Sequence, residues 1–501
     1  MLLGIPFMAD SFAYMLSPAP LMWIVLGTFL GIIGGAIPGL TGAMLIALTL
    51  PLTFSMSGLD ALTLLVSMYV GAVSGGLVSA TLLNMPGTPA SMITVLDGHP
   101  MAKNGRPGRA LGLGVAASFA GGMISWGFLV LLAGSMAVWS TKLGPFETFS
   151  LVMMAMALMA SVSGPSLAKG LFSGALGVLA TVPGISPATG ESRWTMGVPE
   201  LGDGLKLLPV LIGLFAVSQT FMKQPSASAT AIGPTFAFSQ LLLKLNDWKR
   251  HAVNLIRSSV IGTWIGILPG IGANVGSLVA YSTAKQMSKN SDEYGKGSEE
   301  GIVASEAANN ATVGGALIPL VAMGIPGSVV DAILLGGMVI HGLQPGPLLF
   351  EQNPEIAHGI MTTLFLANIV MALLLLATAR WIVKLAVVPK HLLTPVVLVF
   401  CVLGSYALAN RIFDVWVMLA FGGIGLLMER FKIPPAPFVI GFVLAPLAEE
   451  NLGAGLMSSA NSWAPLFTRP LSLLFLVIAA GMAIWSLKKG DKPTSVSKNQ
   501  G

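Results

Sequence analysis

The sequence predicts an all-α polytopic membrane protein built from two structural repeats of inverted topology. Three observations lead to this fold class: a very apolar composition, long runs without a charged residue, and helix-breaking Pro-Gly pairs that recur in the same order in both halves. We expect roughly ten to twelve membrane segments. Some of them should be broken helices or re-entrant hairpins, because the Pro-Gly pairs lie inside apolar runs.

Charged residues are scarce and clustered. Of 501 residues, 54% are hydrophobic and 9% are charged, whereas a soluble domain carries about 25% charged residues. No Asp, Glu, Lys or Arg occurs in residues 11–59, 61–96, 110–141, 359–379 and 470–487. A membrane helix needs about 20 mostly apolar residues, so several of these runs can cross a bilayer once or twice. The basic residues lie between apolar runs, as in cytoplasmic loops, so we expect no nucleic-acid partner.

The chain divides into two halves and a tail. We place a first transmembrane repeat at residues 1–235, a second at 236–487 and a basic cytoplasmic tail at 488–501. Cytoplasmic segments are enriched in Lys and Arg, which fits the three lysines at 488, 489 and 492. The N-terminus lacks the charged region of a cleaved signal peptide, so we expect the first span to remain in the protein.

Two Pro-Gly pairs interrupt each half in the same order. Pro38-Gly39 corresponds to Pro269-Gly270, and Pro86-Gly87 corresponds to Pro326-Gly327. The pairs are 48 residues apart in the first half and 57 in the second, and the charged stretch 285–300 accounts for the difference. The sequence also matches Gly75-Gly76 with Gly314-Gly315. Paired halves with breakers at corresponding positions are typical of secondary transporters.

Helix breaks at membrane depth predict a binding site. Backbone that leaves helical geometry in a bilayer must be buried in protein or line a polar cavity. The new helix N-terminus carries free N–H groups and about half a positive charge, which attracts anions. Four breaks can converge on one site for an anionic substrate near the membrane midplane. The opposing interpretation is that Pro and Gly are simply common in membrane helices.

Small hydroxyl and amide residues surround the breaks. Asn and Thr can donate to a carboxylate, and their oxygens can hold Na⁺, although Ser and Thr also cap helices or bond neighbouring helices. The predicted substrate-binding residues are Pro38, Gly39, Thr41, Asn84, Pro86, Gly87 and Thr88 in the first half, and Gly270, Gly272, Asn274, Asn309, Asn310, Pro326, Gly327 and Ser328 in the second.

Two acids lie in apolar surroundings, Glu306 and Asp331. A charge at the bilayer centre costs roughly 2.5–3.5 kcal/mol on insertion scales, so both are candidates for ion coupling. Either can take up a proton as it loses water. The alternatives are an interfacial Glu306 near the charged loop and an Asp331 that caps a helix. His99 and His341 are predicted to lie in loops.

No catalytic or metal-binding motif stands out. "GIGANVGS" lacks the spacing of a dinucleotide fingerprint and the Lys-Ser/Thr of a P-loop, and neither H-E-x-x-H nor G-x-S-x-G occurs. We therefore expect that the protein is not an enzyme and binds no cofactor. A Na⁺ or H⁺ gradient should supply the energy for transport. The alternatives left open are an anion channel, a carboxylate transporter without a binding protein, a membrane enzyme and a membrane scaffold.

Several motifs resemble one transporter family. The sequence is similar to the large membrane subunit of tripartite tricarboxylate transporters, the TctA-like proteins, in residues 82–114, 196–201, 293–350 and 466–472. The combination of "EAANN" and "GIPGS" in the third segment is specific to that family. Asp331 departs from it, because a small or apolar residue is usual there.

The resemblance implies ion-driven uptake at a bacterial inner membrane. A periplasmic solute-binding protein would deliver a small carboxylate, citrate-like or a dicarboxylate, and a small four-helix membrane subunit would accompany this chain. The expected function is thus the large transmembrane subunit of a binding-protein-dependent secondary transporter.

Overall fold

The computed structural model describes residues 4–162, 166–222, 237–385, 390–407 and 409–489. Within these residues, two short strands form one hairpin, and the other regular elements are helices. The first half contains α1 (Gly4–Met15), α2 (Pro18–Ala36), α3 (Gly42–Thr49), α4 (Gly58–Leu83), α5 (Met92–Lys103), α6 (Pro107–Ser140), α7 (Pro145–Val162), α8 (Leu167–Ala180), β1 (Gly184–Ile185), β2 (Ser192–Arg193), α9 (Leu207–Leu211) and α10 (Ser218–Phe221).

All regular elements described in the second half are helices. It contains α11 (Leu245–Ile267), α12 (Gly272–Met287), α13 (Glu299–Met323), α14 (Val329–Ile340), α15 (Pro347–Gln352), α16 (Pro354–Leu385), α17 (Lys390–Ala407), α18 (Ile412–Arg430), α19 (Pro435–Ser458), α20 (Ala464–Thr468) and α21 (Pro470–Lys489). Short 3₁₀ turns occupy Leu50–Thr53, Pro199–Leu201, Phe238–Gln240 and Ser291–Glu293, and a π-helical turn, Ile212–Val217, joins α9 to α10.

Six described helices are long and apolar enough to cross a membrane: α2, α4, α6, α16, α18 and α19. Shorter apolar helices accompany them at Gly42–Thr53, Pro145–Ser161, Leu167–Ala180, Leu207–Phe221, Val329–Ile340, Thr394–Ala407 and Pro470–Ile484. The predicted all-α polytopic membrane fold is confirmed. The number of segments, ten to twelve, stays a prediction.

The centre of the molecule is formed by α4 and α13. Residues 301–322 of α13 are all buried, and α2 packs along α4 as α11 packs along α13. A methyl group at Gly35 would lie 2.0 Å from the carbonyl oxygen of Ala72, and one at Gly266 would lie 2.5 Å from that of Thr312. Backbones therefore touch in both pairs, which small residues permit in membrane helices.

The helix order agrees with the predicted correspondence of the halves. In each half a long helix is followed by a break and a shorter helix, twice. Gly75 packs against the carbonyl oxygen of Ile32, and Gly315 packs against that of Thr263. By these contacts Gly75 corresponds to Gly315, whereas the sequence matched it with Gly314. The two repeats and their inverted topology stay predictions. The predicted boundary between residues 235 and 236, and the tail beyond residue 489, lie outside the described residues.

The prediction of loop histidines is wrong for His99. His99 lies within α5, half-buried, with its Nδ1 3.2 Å from the carbonyl oxygen of Thr81. His341 follows the last turn of α14, and its Nε2 is 3.0 Å from Thr53 Oγ1.

Arg109 joins the starts of three helices. Its Nη1 and Nη2 donate to Asp247 at 2.9 and 2.8 Å, and its Nε and Nη2 donate to Glu299 at 3.1 and 2.9 Å. These bonds connect α6, α11 and α13. The hydrogen bonds from Arg109 lower the pKa of Asp247 to about 2. Hydrogen bonds from His251 and Arg109 hold the pKa of Glu299 well below its usual range.

We expect acid to remove the contribution of Arg109 to stability. A carboxyl with a lower pKa in the folded than in the unfolded protein stabilises the fold above its unfolded pKa, and this is lost as pH falls through the folded pKa. The ordinary values are 3.8 for Asp and 4.5 for Glu. The difference in unfolding temperature between wild type and Arg109→Gln should therefore be largest above about pH 5 and shrink toward pH 2. Thermal unfolding in detergent measures it, and a difference independent of pH would contradict the prediction.

Candidate functional site

The first break of each half lies where the sequence places it. Helix α2 ends at Ala36 and α3 begins at Gly42, with Thr41 Oγ1 accepting a hydrogen bond of 3.2 Å from the N–H of Met44. Helix α11 ends at Ile267 and α12 begins at Gly272, without a side-chain cap. Gly39 and Gly270 both have positive φ, 90° and 80°, a conformation that glycine adopts without steric cost.

Hydroxyl groups form hydrogen bonds with backbone N–H groups at the second breaks. After α4, the N–H of Thr88 donates to Ser91 Oγ at 3.1 Å, and the N–H of Ser91 donates to Thr88 Oγ1 at 3.3 Å. After α13, Ser328 Oγ accepts from the N–H of Asp331 at 3.3 Å at the start of α14. Ser328 therefore caps α14, the alternative that the sequence left open. Thr88 and Ser91 instead stabilise the turn before α5, whose start has no side-chain cap.

The two breaks within each half touch. The N–H of Gly270 donates to the carbonyl oxygen of Gly327 at 2.7 Å. In the first half, a methyl group at Gly87 would lie 2.0 Å from the carbonyl oxygen of Gly35, at the end of α2. The short helices after the breaks also pair across the halves, since α14 packs on α3 and α12 packs on α5. The breaks thus meet within each half, and the helices that follow them are in contact between the halves.

The predicted binding residues differ in exposure. Gly87, Thr88, Gly270, Asn309, Asn310, Pro326 and Gly327 are buried; Pro38, Gly39, Thr41, Gly272 and Ser328 are half-buried; and Asn84, Pro86 and Asn274 are exposed. The Asn84 side chain makes no hydrogen bond to another described residue, Asn309 and Asn310 included. A substrate-binding role for this set stays a prediction.

Replacing Asn84 is expected to abolish transport. Asn84 ends α4 with a φ of 56°, in the left-handed region, so Asn84→Ala also introduces backbone strain of the order of 1 kcal/mol. Asn84→Gly removes the amide without that strain. Loss of uptake in both variants indicates that the amide binds substrate. Loss in Asn84→Ala alone assigns Asn84 to the turn, and normal uptake in both removes it from the site.

The two amides on α13 have different environments. Asn310 Oδ1 accepts from Ser74 Oγ at 2.6 Å, and its Nδ2 donates to the carbonyl oxygen of Glu306 at 3.2 Å. Asn309 Nδ2 donates to the carbonyl oxygen of Val73 over 3.4 Å, and its Oδ1 has no partner among the described residues. Asn310 is engaged in packing α13 on α4, whereas Asn309 retains a free acceptor.

Both candidate acids are fully buried, with 0% exposure. Glu306 Oε1 accepts from Thr94 Oγ1 at 2.5 Å, and its Oε2 accepts from Ser118 Oγ at 3.0 Å. Glu306 is therefore enclosed between α13, α5 and α6, and its alternative position at the membrane interface near the charged loop remains open. Asp331 Oδ2 accepts from Ser328 Oγ at 2.6 Å. Asp331 lies in the first turn of α14, so its interpretation as part of a helix cap remains open.

A third buried acid, Asp97 on α5, was not predicted. Its Oδ1 accepts from the N–H groups of Gly295, Gly297 and Ser298 at 2.8, 2.9 and 2.8 Å, and its Oδ2 accepts from Tyr281 Oη at 2.8 Å. Asp97 thus fixes the charged loop between α12 and α13. These partners are about 200 residues away in sequence, so the only available signal was an acid beside an apolar run.

Apolar helices with paired breaks, joined around buried polar groups, define the chain as a polytopic membrane protein of the transporter type. The sequence profile of the tripartite tricarboxylate transporter TctA family matches residues 21–440. The chain belongs to this family. This confirms the resemblance that the motifs suggested.

Two relatives come from Agrobacterium vitis. The uncharacterized 52.8 kDa protein of the TAR-I ttuC' 3' region is 32% identical over 472 residues, which cover 94% of this chain and 94% of the relative. An uncharacterized protein of the TAR-II ttuC' 3' region is 33% identical over 226 residues, which cover 45% of this chain and 93% of the relative. No solved structure matches the chain.

Proposed function

We propose that this chain is the large transmembrane subunit of a binding-protein-dependent secondary transporter in a bacterial inner membrane. It imports small carboxylates, citrate-like tricarboxylates or dicarboxylates, driven by a Na⁺ or H⁺ gradient. A small four-helix membrane subunit and a periplasmic solute-binding protein are its partners. Membership in the tripartite tricarboxylate transporter family supports this proposal.

The observation that carries the proposal is that the two breaks of each half touch, and that the short helices after them pack across the halves. Helices α3, α5, α12 and α14 each begin directly after a break, and the breaks touch within each half. Each N-terminus contributes about half a positive charge and free N–H groups. The starts of α5 and α12 have no side-chain cap, so their N–H groups are the ones best able to bind a carboxylate oxygen.

The fold also supplies an interface between the halves. Helices α4 and α13 are joined by the hydrogen bonds of Asn309 to Val73 and of Ser74 to Asn310. Movement of one half against the other at this interface would expose the region of the breaks to each side in turn. Neutralisation of a buried acid by the coupling ion would link that movement to the gradient.

Uptake by proteoliposomes tests the proposal. Vesicles containing this chain and its small membrane partner receive labelled citrate, with and without a cognate binding protein and with Na⁺ and H⁺ gradients imposed separately. Saturable uptake that needs one gradient and the binding protein is expected. Saturable uptake without the binding protein supports the simpler carboxylate transporter, and unsaturable flux without a gradient supports an anion channel. No uptake of citrate or other di- and tricarboxylates by folded protein overturns the proposal.

A further inference from the structure

The two buried acids at membrane depth are not equivalent. Neither Glu306 nor Asp331 forms an ion pair in the part of the chain that the structure describes. A buried carboxylate without a cation is costly, so each must be stabilised by hydrogen bonds or neutralised. The contacts of the two side chains show which of these applies.

Glu306 is stabilised by hydrogen bonds. Both of its oxygens accept from hydroxyls, Thr94 on α5 and Ser118 on α6, and Thr94 Oγ1 also lies 3.0 Å from Ser305 Oγ. The side chain therefore ties three helices together. A proton on either oxygen would disturb a hydrogen bond that this oxygen already accepts, so the geometry favours a permanent packing role.

Asp331 has one free oxygen. Its Oδ2 accepts from Ser328 Oγ at 2.6 Å, while its Oδ1 has no partner among the described residues although the side chain is fully buried. Asp331 follows the break at Pro326-Gly327, which touches the other break of its half at Gly270. A free carboxylate oxygen in this position can receive a proton without breaking an existing hydrogen bond.

Tyr69 extends this contact into the other half of the chain. Tyr69 Oη on α4 lies 3.4 Å from Ser328 Oγ. A serine hydroxyl has one proton, and Ser328 donates it to Asp331. Tyr69 must therefore be the donor, and the hydrogen bonds run from Tyr69 to Ser328 to Asp331. The charge of Asp331 thus orients a polar contact between the two halves.

In the described residues, Tyr69 is the titratable side chain on a neighbouring helix that is connected to Asp331, through Ser328. Helix α14 packs against α3, α4, α9, α13 and α19. Helices α3 and α9 carry no charged residue. The other titratable groups of these three helices bind other partners or lie toward the helix ends, except Glu450 on α19, which is exposed. They are Asp60 on α4; Glu299, Glu300 and Glu306 on α13; and Glu449 on α19.

We propose that Asp331 is the coupling site, that the coupling ion is a proton bound at Oδ1, and that Tyr69 and Ser328 transmit its charge to the opposite half. This inference rests on the proposed function. The step is binding alone: a carboxylate and a proton from the open side give a neutral carboxylic acid. With the proton bound, the buried contact is neutral and stable. Without it, the cost of burying an uncompensated charge favours a state in which water reaches Asp331.

Asp331→Asn tests the inference, because Asn has the same shape and cannot titrate. In the proteoliposomes described above, wild-type uptake should rise as the outside pH falls, by up to about tenfold per pH unit, the limit for one proton. Asp331→Asn should lose this pH response and its dependence on the H⁺ gradient while still exchanging internal for external substrate. Glu306→Gln should keep the pH response even if less protein folds. Tyr69→Phe should weaken the response because it removes the donor to Ser328.

Each result has a clear meaning. An unchanged pH response in Asp331→Asn, with wild-type uptake present, overturns the inference but leaves the proposed function intact. Absence of wild-type uptake under any gradient overturns the proposed function instead. If Asp331→Asn does not fold, proton uptake by wild-type vesicles decides. Alkalinisation of a weakly buffered medium on addition of citrate is expected, and uptake driven by Na⁺ without a pH change contradicts the proposal.

Discussion

Asn309→Ala is expected to abolish carboxylate uptake while the protein remains folded in the membrane. Asn309 lies at the interface of α13 with α4, and its amide makes one long hydrogen bond, 3.4 Å to the carbonyl oxygen of Val73. A typical hydrogen bond contributes about 0.5–1.5 kcal/mol, so the loss of a long one should cost little stability. The free Oδ1 is available to a substrate hydroxyl or a cation, and alanine cannot replace it.

The neighbouring amide provides the matched control. Both polar atoms of Asn310 are used, by Ser74 and by the carbonyl oxygen of Glu306. Asn310→Ala should therefore lower the unfolding temperature in detergent more than Asn309→Ala does. Uptake into proteoliposomes, normalised to the amount of folded protein, separates the two effects. Normal uptake by Asn309→Ala would exclude Asn309 from the site.

The sequence was sufficient to predict the class of fold and the positions of the breaks. Uncharged runs and Pro-Gly pairs are local signals, because Pro removes a backbone donor and Gly weakens a helix wherever they occur. Accordingly α2 ends two residues before Pro38, and α11 ends two residues before Pro269. Family membership followed from motifs near the same breaks.

Contacts between distant residues could not be predicted. Arg109 binds Asp247 and Glu299, which are 138 and 190 residues away, and in the sequence each appears as an ordinary loop charge. The partners of Glu306 are a threonine and a serine more than 180 residues upstream. Hydroxyls carry no periodic or charge signal, so only the packing of α5 and α6 on α13 shows that Glu306 is satisfied.

Substitution of Gly87 is expected to have a large effect on both folding and transport. A Cβ at this position would lie 2.0 Å from the carbonyl oxygen of Gly35, 2.5 Å from Ser79 Oγ and 3.0 Å from Gly76 Cα. Overpacking of a well-packed core costs about 1–3 kcal/mol. Because two of these contacts are with backbone, Gly87→Ala should be at the upper end of that range. We expect loss of uptake and a lower unfolding temperature.

Substitutions at Gly327 and Gly127 serve as the comparison and the control for Gly87→Ala. A Cβ at Gly327 would lie 2.8 Å from the carbonyl oxygen of Gly266, so Gly327→Ala should cause the same defect to a smaller extent. Gly127 in α6 has no atom within 4 Å of an added Cβ, and Gly127→Ala should leave uptake unchanged. Gly35 and Gly266 each lie three residues before the proline of the first break in their half. Equivalent defects in Gly87→Ala and Gly327→Ala would therefore support the predicted repeat. Normal uptake by Gly87→Ala would instead show that the two breaks of the first half do not act as one unit.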